Sequence, residues 1–352
     1  MIGFVVRRLL WGVVLALVIT FCTFLLFFVV PTEGAGRVDV RGGERTTIAE
    51  VFELQRTPVP QQYAEFLWGI VRHGSLGYSL VDREPVVDTL ARTVPVTASL
   101  VVGGAVVWLL IALPLGVFSA VRPRSLLDRV GMIAVFVGVS AHPAWLGLIL
   151  SYVFGYKLHV TPLGGYCDFF YASTACGGPV QWAYHLLLPW LTFAVLFAAL
   201  YARMVRASVL ESLDEDYVRT ARAKGASRSR TLRVHVLRNA MLPVVTMLGM
   251  DVGLAFGGAL FVESVYGLPG VGRTMIGALA RSDLPVILGI VLVVTAAVLV
   301  FNLIVDLLYA VLDPRVRTPV QSYDVGERTP APPAATASQR GRVIGESARE
   351  ST

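Results

Sequence analysis

Six apolar runs, each about 19 to 28 residues long, punctuate the chain, and a helix of that length crosses the ~30 Å hydrocarbon core of a bilayer. They cover Leu9 to Val30, Val94 to Val121, Val130 to Tyr152, Leu186 to Met204, Leu242 to Val262 and Pro285 to Val311. In lipid each segment must satisfy its own backbone polar groups, so runs of this kind fold as helices. The expected fold class is therefore all-α, a polytopic membrane bundle of six transmembrane helices. Composition agrees: 55% of the 352 residues are hydrophobic and 15% are charged, against about 25% charged in soluble domains. The first run exceeds the ~7–15-residue apolar region of a secretory signal, and no small-x-small site closes it, so it reads as a retained span.

A formal charge of +6 could mark a nucleic-acid binder, but the thirty basic residues, of which only Lys157 and Lys224 are lysines, are distributed by topology. Arg7 and Arg8, then Arg122, Arg124 and Arg129, then nine Lys/Arg from Arg203 to Arg238, then Arg315 and Arg317, all fall on one side of six alternating spans. The positive-inside rule places that side, and both termini, in the cytoplasm of a multi-pass inner-membrane protein. The two short outer loops, Phe154 to His185 and Glu263 to Leu284, hold three basic residues between them.

Several chemistries are excluded by what the sequence lacks. It contains no G-x-x-x-x-G-K-[ST] phosphate loop, no H-E-x-x-H and no C-x-x-C, and no triad can be assembled from scattered Ser, His and Asp. The expectation is a non-enzymatic chain with no metal site. Residues 1–30 form the first span, and 31–93 an outer segment in which Phe52, Tyr63, Phe66, Leu67, Trp68 and Ile70 suggest two or three short helices. Residues 94–317 form a five-helix core with a cytoplasmic loop at 207–241. The Pro-, Ala- and Thr-rich residues 318–352 lack the apolar content for a core and read as a disordered tail.

Asp251 falls mid-span, where a carboxylate must face protein or water. Two readings are open: lining a pathway, or partnering a buried polar group. His142, beside Pro143, is either a pathway residue or part of a helix kink. Cys167 and Cys176, nine positions apart in an outer Gly-rich loop, are either bridged or two free thiols. Cys22 reads as a small core residue, and solvation accounts for Asp306 and Asp313 near the inner end of the last run. Gly267, Pro269, Gly270 and Gly272 make the last outer loop turn-rich.

The most informative stretch lies inside, between spans four and five: Asp214 to Ala226, followed by Arg238-Asn239-Ala240-Met241-Leu242-Pro243. Acids at its start and bases toward Gly225 match a helix dipole, and Gly225 is placed to end a helix of two to three turns. Tyr217, Ala221 and Lys224 recur at i, i+4 and i+7, while Arg219 and Arg222 project elsewhere. On composition alone this could be a solvated basic loop. The string Tyr-Val-Arg-Thr-Ala-Arg-Ala-Lys-Gly with Arg-Asn-Ala-x-Leu-Pro, however, resembles the EAA-type loop of ABC importer permeases, in the form of the dipeptide/oligopeptide/nickel family.

Arg7-Arg8-Leu9-Leu10, Pro60-Gln61-Gln62-Tyr63, Gly74 to Leu80, Pro143 to Gly147 and Glu263 to Gly272 extend the resemblance over residues 1 to 317. Pro31-Thr32-Glu33 replaces the usual Pro-Gly-Asp-Pro, and His142 stands where a small residue is common. The resemblance implies a type I importer permease fold, with Asp216, Tyr217, Arg219, Thr220, Ala221, Ala223, Lys224 and Gly225 contacting a separate ATPase. It also implies that the loop bearing Glu263, Pro269 and Gly270 reaches the mouth of a translocation pathway. The implied partners are a second permease subunit, one or two ABC ATPase subunits holding ATP and Mg, an extracytoplasmic peptide-binding protein and the lipid bilayer, with no nucleic acid. The implied cargo is peptide; a nickel importer or a stand-alone ion-coupled carrier are the alternatives.

Overall fold

The computed structural model describes residues 2–29, 37–40, 44–47, 59–126, 128–131, 133, 138, 141–170 and 176–312. Long helices dominate. In chain order they are α1 (Ile2–Val29), α2 (Val59–His73), α3 (Val86–Val121), α4 (Pro143–Leu150), α5 (Pro179–Asp214), α6 (Asp216–Ala223), α7 (Arg228–Thr231), α8 (Leu237–Ala240), α9 (Leu242–Tyr266), α10 (Val271–Ala280) and α11 (Leu284–Leu312). The helix α4 widens into a π-helical turn over Ser151–Lys157, and a second such turn, Leu232–Val236, joins α7 to α8.

Among the described residues, four helices are long and apolar enough to cross a membrane: α3, α5, α9 and Leu284–Val305 of α11. The helix α1 adds an apolar stretch at Leu10–Leu25. The expected third span, 130–152, lies partly outside the described residues. Its described part is interrupted before Pro143, where His142 is extended and its Nδ1 accepts from the backbone N–H of Ala144 at 3.3 Å, capping α4. Proline at the first helical position suits such a start, because its missing N–H would have had no partner. The expected tail, 318–352, lies outside the described residues.

Two boundaries differ instructively from the sequence reading. The helix α5 continues past Met204 to Asp214, because Val205, Val209 and Ser212 keep one buried stripe turned to the bundle after uniform hydropathy ends. Residues 207–214, expected in the cytoplasmic loop, are therefore the last turns of α5. The outer segment also contains an antiparallel hairpin, Arg37–Val40 paired with Glu44–Thr47 in the register Arg37 opposite Thr47, where only helices were expected.

The core runs between α3, α5 and α9. Trp108, Phe193, Tyr201 and Leu100 are buried, the Trp108 ring stacks on Phe197 at 4.5 Å, and Trp190 Nε1 donates to Ser99 O at 3.0 Å. The helix α1 sits at the edge, contacting α2 and α11. Tyr63 of α2 donates to Leu17 O at 2.9 Å, and its ring packs against Phe21 and Phe24. This edge position leaves Cys22, expected in the core, exposed.

Candidate functional site

The surface expected to face the cytoplasm is built from the end of α5 onward. At Glu215 the backbone turns extended (φ −69°, ψ 146°), ending α5 and setting α6 off in a new direction. The carbonyl of Glu215 accepts from Val218 at 3.0 Å, and Thr220 Oγ1 donates to Asp216 O at 2.9 Å. Asp216 in the first turn and Arg222 in the last complement the helix dipole. The C-terminus closes by a Schellman motif: Ala226 N donates to Ala221 O at 3.1 Å and Gly225 N to Arg222 O at 2.9 Å. That closure requires the left-handed backbone that Gly225 adopts at φ +83°.

Val218 is the one buried side chain of α6, at 0% exposure. It fixes the helix against α5, α7 and the turn after α7. Asp216, Tyr217, Arg219, Thr220, Ala223, Lys224 and Gly225 are exposed, and Ala221 is half-buried. Arg219 reaches Asp216 at 3.5 Å, but with side chains 72% and 95% exposed this pair adds little stability. The result is a short helix, locked at both ends, that leaves an aromatic ring, small side chains and both signs of charge exposed.

Neighbouring contacts stiffen this surface. Arg228 donates to Val121 O at the end of α3 (3.3 Å), and Arg206 Nε donates to Asp128 Oδ1 at 2.9 Å. Asp128 also accepts from Arg124 N at 2.9 Å. That backbone donor and the Arg206 guanidinium hold its carboxyl below the usual carboxylate range.

At the opposite end of the bundle, α9, α10 and α3 meet around a buried carboxylate. Glu263 is 0% exposed; its Oε1 accepts from Thr97 Oγ1 at 2.6 Å and its Oε2 from Arg273 N at 3.0 Å. The Thr97 oxygen in turn accepts from Val271 N at 2.8 Å. The main chain of Gly270 passes directly over this carboxylate, where any Cβ would collide with it. Glu263 thus clamps the turn leading into α10 and is not open to solvent, while Pro269 is exposed.

One turn on, Tyr266 donates to Gly147 O of α4 at 3.1 Å and shares a 2.9 Å hydrogen bond with Thr192 of α5. Its backbone carbonyl accepts from Gly165 N at 2.9 Å, tying the outer loop to α9. Asp251, deeper in α9 and 8% exposed, accepts from Tyr201 Oη at 2.7 Å. His142 is exposed at the break before α4, its ring edge-on to Phe261 at 4.9 Å. The pathway candidates therefore do not converge on one cluster: Glu263 and Gly270 share the outer clamp, and His142 and Asp251 stand apart from it.

Between α4 and α5, Cys167 and Cys176 are joined by a disulfide, with Cα atoms 5.3 Å apart. Sequence reasoning missed two contributors. Asp283, 1% exposed, accepts from Ser79 Oγ at 2.5 Å and Leu80 N at 3.2 Å, pinning the turn before α3. Its partners are about two hundred positions away, so spacing carried no signal. His185, on the first turns of α5, lies beside Cys167, again without a recognisable motif spacing.

Residues 112–318 match the family model of the binding-protein-dependent transport system inner membrane component, and residues 1–101 match the N-terminal model of such membrane components. The chain is 36% identical over 340 residues to the dipeptide transport system permease protein DppB of Escherichia coli, covering 90% of this chain and 99% of that protein. It is 38% identical over 324 residues to a putative peptide permease protein of Brucella suis, with the same coverage. A di/tripeptide transport system permease protein of Pseudomonas aeruginosa is 35% identical over 337 residues, again at 90% and 99% coverage.

Proposed function

Because the chain belongs to the family of binding-protein-dependent transport system inner membrane components, we propose that it is one of two membrane subunits of an ATP-driven importer of short peptides. The observation that carries this reading is α6: a capped helix whose one buried side chain is Val218, with Tyr217, Arg219, Thr220 and Lys224 exposed. Its surface has the mixture of apolar and charged groups that a protein partner can cover.

In this reading α6 seats on an ATPase subunit, which holds ATP and Mg. Closure and opening of the ATPase pair moves α6, and the movement passes through Val218 into α5 and the segment leading to α9. The bundle then alternates between outward-open and inward-open states whose populations are set by the nucleotide on the partner. Peptide, delivered by an extracytoplasmic binding protein, crosses between this chain and a second permease. Glu263 and Gly270 serve as positioning groups for the outer turn rather than as peptide contacts, since the carboxylate is fully buried and already hydrogen-bonded. The names of the relatives favour peptide over nickel as cargo. Both termini lie in the cytoplasm, which puts α6 on the side where ATP is found.

Affinity purification of the tagged full chain from its native membrane tests this. The expected result is retention of a second permease and an ATPase, and peptide uptake in vesicles only when these are present and ATP is supplied. Uptake by the chain alone in vesicles, or labelling of α6 only from the outer face, would overturn it.

A further inference from the structure

The outer loop carries a second arrangement that the transport reading does not use. Sγ of Cys167, Sγ of Cys176 and a ring nitrogen of His185 all lie within 4.8 Å of one another. Cys167 is 1% exposed, whereas Cys176 and His185 are half-buried, so the group is shielded on one side and reachable on the other. His185 Nδ1 lies 3.0 Å from Gln181 O. A carbonyl only accepts, so in the neutral ring Nδ1 carries the hydrogen and Nε2 keeps its lone pair. Histidines that ligate metals are commonly fixed by such a backbone carbonyl. Cys167 Sγ stands 3.7 Å from Nε2 and 3.2 Å from Nδ1, close to both nitrogens of the ring. A sulfur at ~2.3 Å and a nitrogen at ~2.0–2.1 Å from a tetrahedral ion sit about 3.6 Å apart, so the Nε2–sulfur separation already matches and a turn of the imidazole that aims Nε2 at the ion completes the pair.

We propose that reduction of the Cys167–Cys176 bridge by a thiol or phosphine converts this corner of the loop into a binding site for a thiophilic divalent cation of the zinc type, with Cys167, Cys176 and His185 as ligands and water at the fourth position. Reduction adds two electrons and two protons across the sulfur–sulfur bond. A trialkylphosphine supplies the electrons and leaves as the phosphine oxide, its oxygen coming from water. The cation then displaces the thiol protons as it binds. The two oxidation states of the loop thus close it in different ways: a covalent bridge within the loop, or a metal that also fastens it to α5. Because Gly165 of the same loop bonds to the carbonyl of Tyr266, the choice is made beside the outer end of α9.

Cobalt(II) is the probe, added to the full-length Cys22→Ser protein in detergent, so that no other thiol contributes. After phosphine reduction, one cobalt per chain is expected, with the sulfur-to-cobalt charge-transfer band and strong visible bands of a tetrahedral thiolate site; the oxidised protein should show neither. Zinc should displace the cobalt, and His185→Ala should weaken binding roughly tenfold or more. Absence of these bands in reduced protein, or equal binding by His185→Ala, would overturn the proposal. The comparison of oxidised with reduced protein stands even if the variant fails to fold.

Discussion

Thr97 donates a 2.6 Å hydrogen bond to Glu263 from a helix 166 positions earlier in the chain, and the same hydroxyl oxygen accepts from Val271 N at 2.8 Å. One hydroxyl therefore joins α3, α9 and the start of α10. Thr97→Val keeps the shape but leaves the Val271 N–H without its acceptor and removes a donor from the Glu263 carboxylate. Each orphaned buried group costs about 1–3 kcal/mol. A drop of several degrees in the midpoint of thermal unfolding in detergent is expected, whereas Thr97→Ser should recover most of it.

The Schellman closure of α6 makes a separate prediction. An added Cβ at Gly225 meets nothing within 4 Å, so Gly225→Ala introduces no clash inside the chain. It does force an L-residue to φ +83°, at about 1–2 kcal/mol. A shift of that size changes a two-state population by roughly 5- to 30-fold. Peptide uptake should fall within that range while membrane insertion and overall thermal stability stay near wild type, as read by uptake of labelled dipeptide and by detergent melting curves.

Tyr201 and Asp251 form a buried pair between α5 and α9. Tyr201→Phe removes the donor and leaves the carboxylate facing apolar neighbours, which should destabilise the bundle by about 1–3 kcal/mol. Asp251→Asn keeps an acceptor and should cost less. A double-mutant cycle on thermal stability should return a coupling energy clearly different from zero; additive losses would mean the two side chains act independently.

Asp128 gives an acid-dependent signature. Its carboxyl is held below the ordinary range by Arg124 N and Arg206, so the folded state binds its proton less readily than the unfolded chain, whose value is near ~3.9. The stabilisation is fully present above that value and is lost as pH falls through the lower folded value. Unfolding midpoints followed downward from pH 6 should show a steeper acid loss for wild type than for Asp128→Asn, which should already be destabilised at pH 6.

The membrane helices were legible because lipid leaves little choice to a long apolar run, and the acid-to-base gradient with its terminal glycine revealed α6. What escaped was information that hydropathy averages away. The inner end of α5 buries only one stripe, at Val205, Val209 and Ser212, so its mean polarity resembles a loop. The hairpin was signalled by the alternation in Arg-Val-Asp-Val and by Gly42-Gly43, but its strands are four residues each, too short to stand out. The roles of Glu263, Asp283 and His185 depend on partners contributed by other elements. For Glu263, the resemblance indicated the loop, and only the packing of Thr97 and Gly270 around the carboxylate gave it a structural role.

Val218 has a mechanical corollary. It is the one side chain of α6 fully enclosed by the bundle, one residue from the exposed ring of Tyr217, so the proposed docking surface and the packed core meet at adjacent positions. If a partner seats on α6 as proposed, any displacement there is delivered to the end of α5, a single helix that runs without a break back to Gly178 at the far end of the bundle.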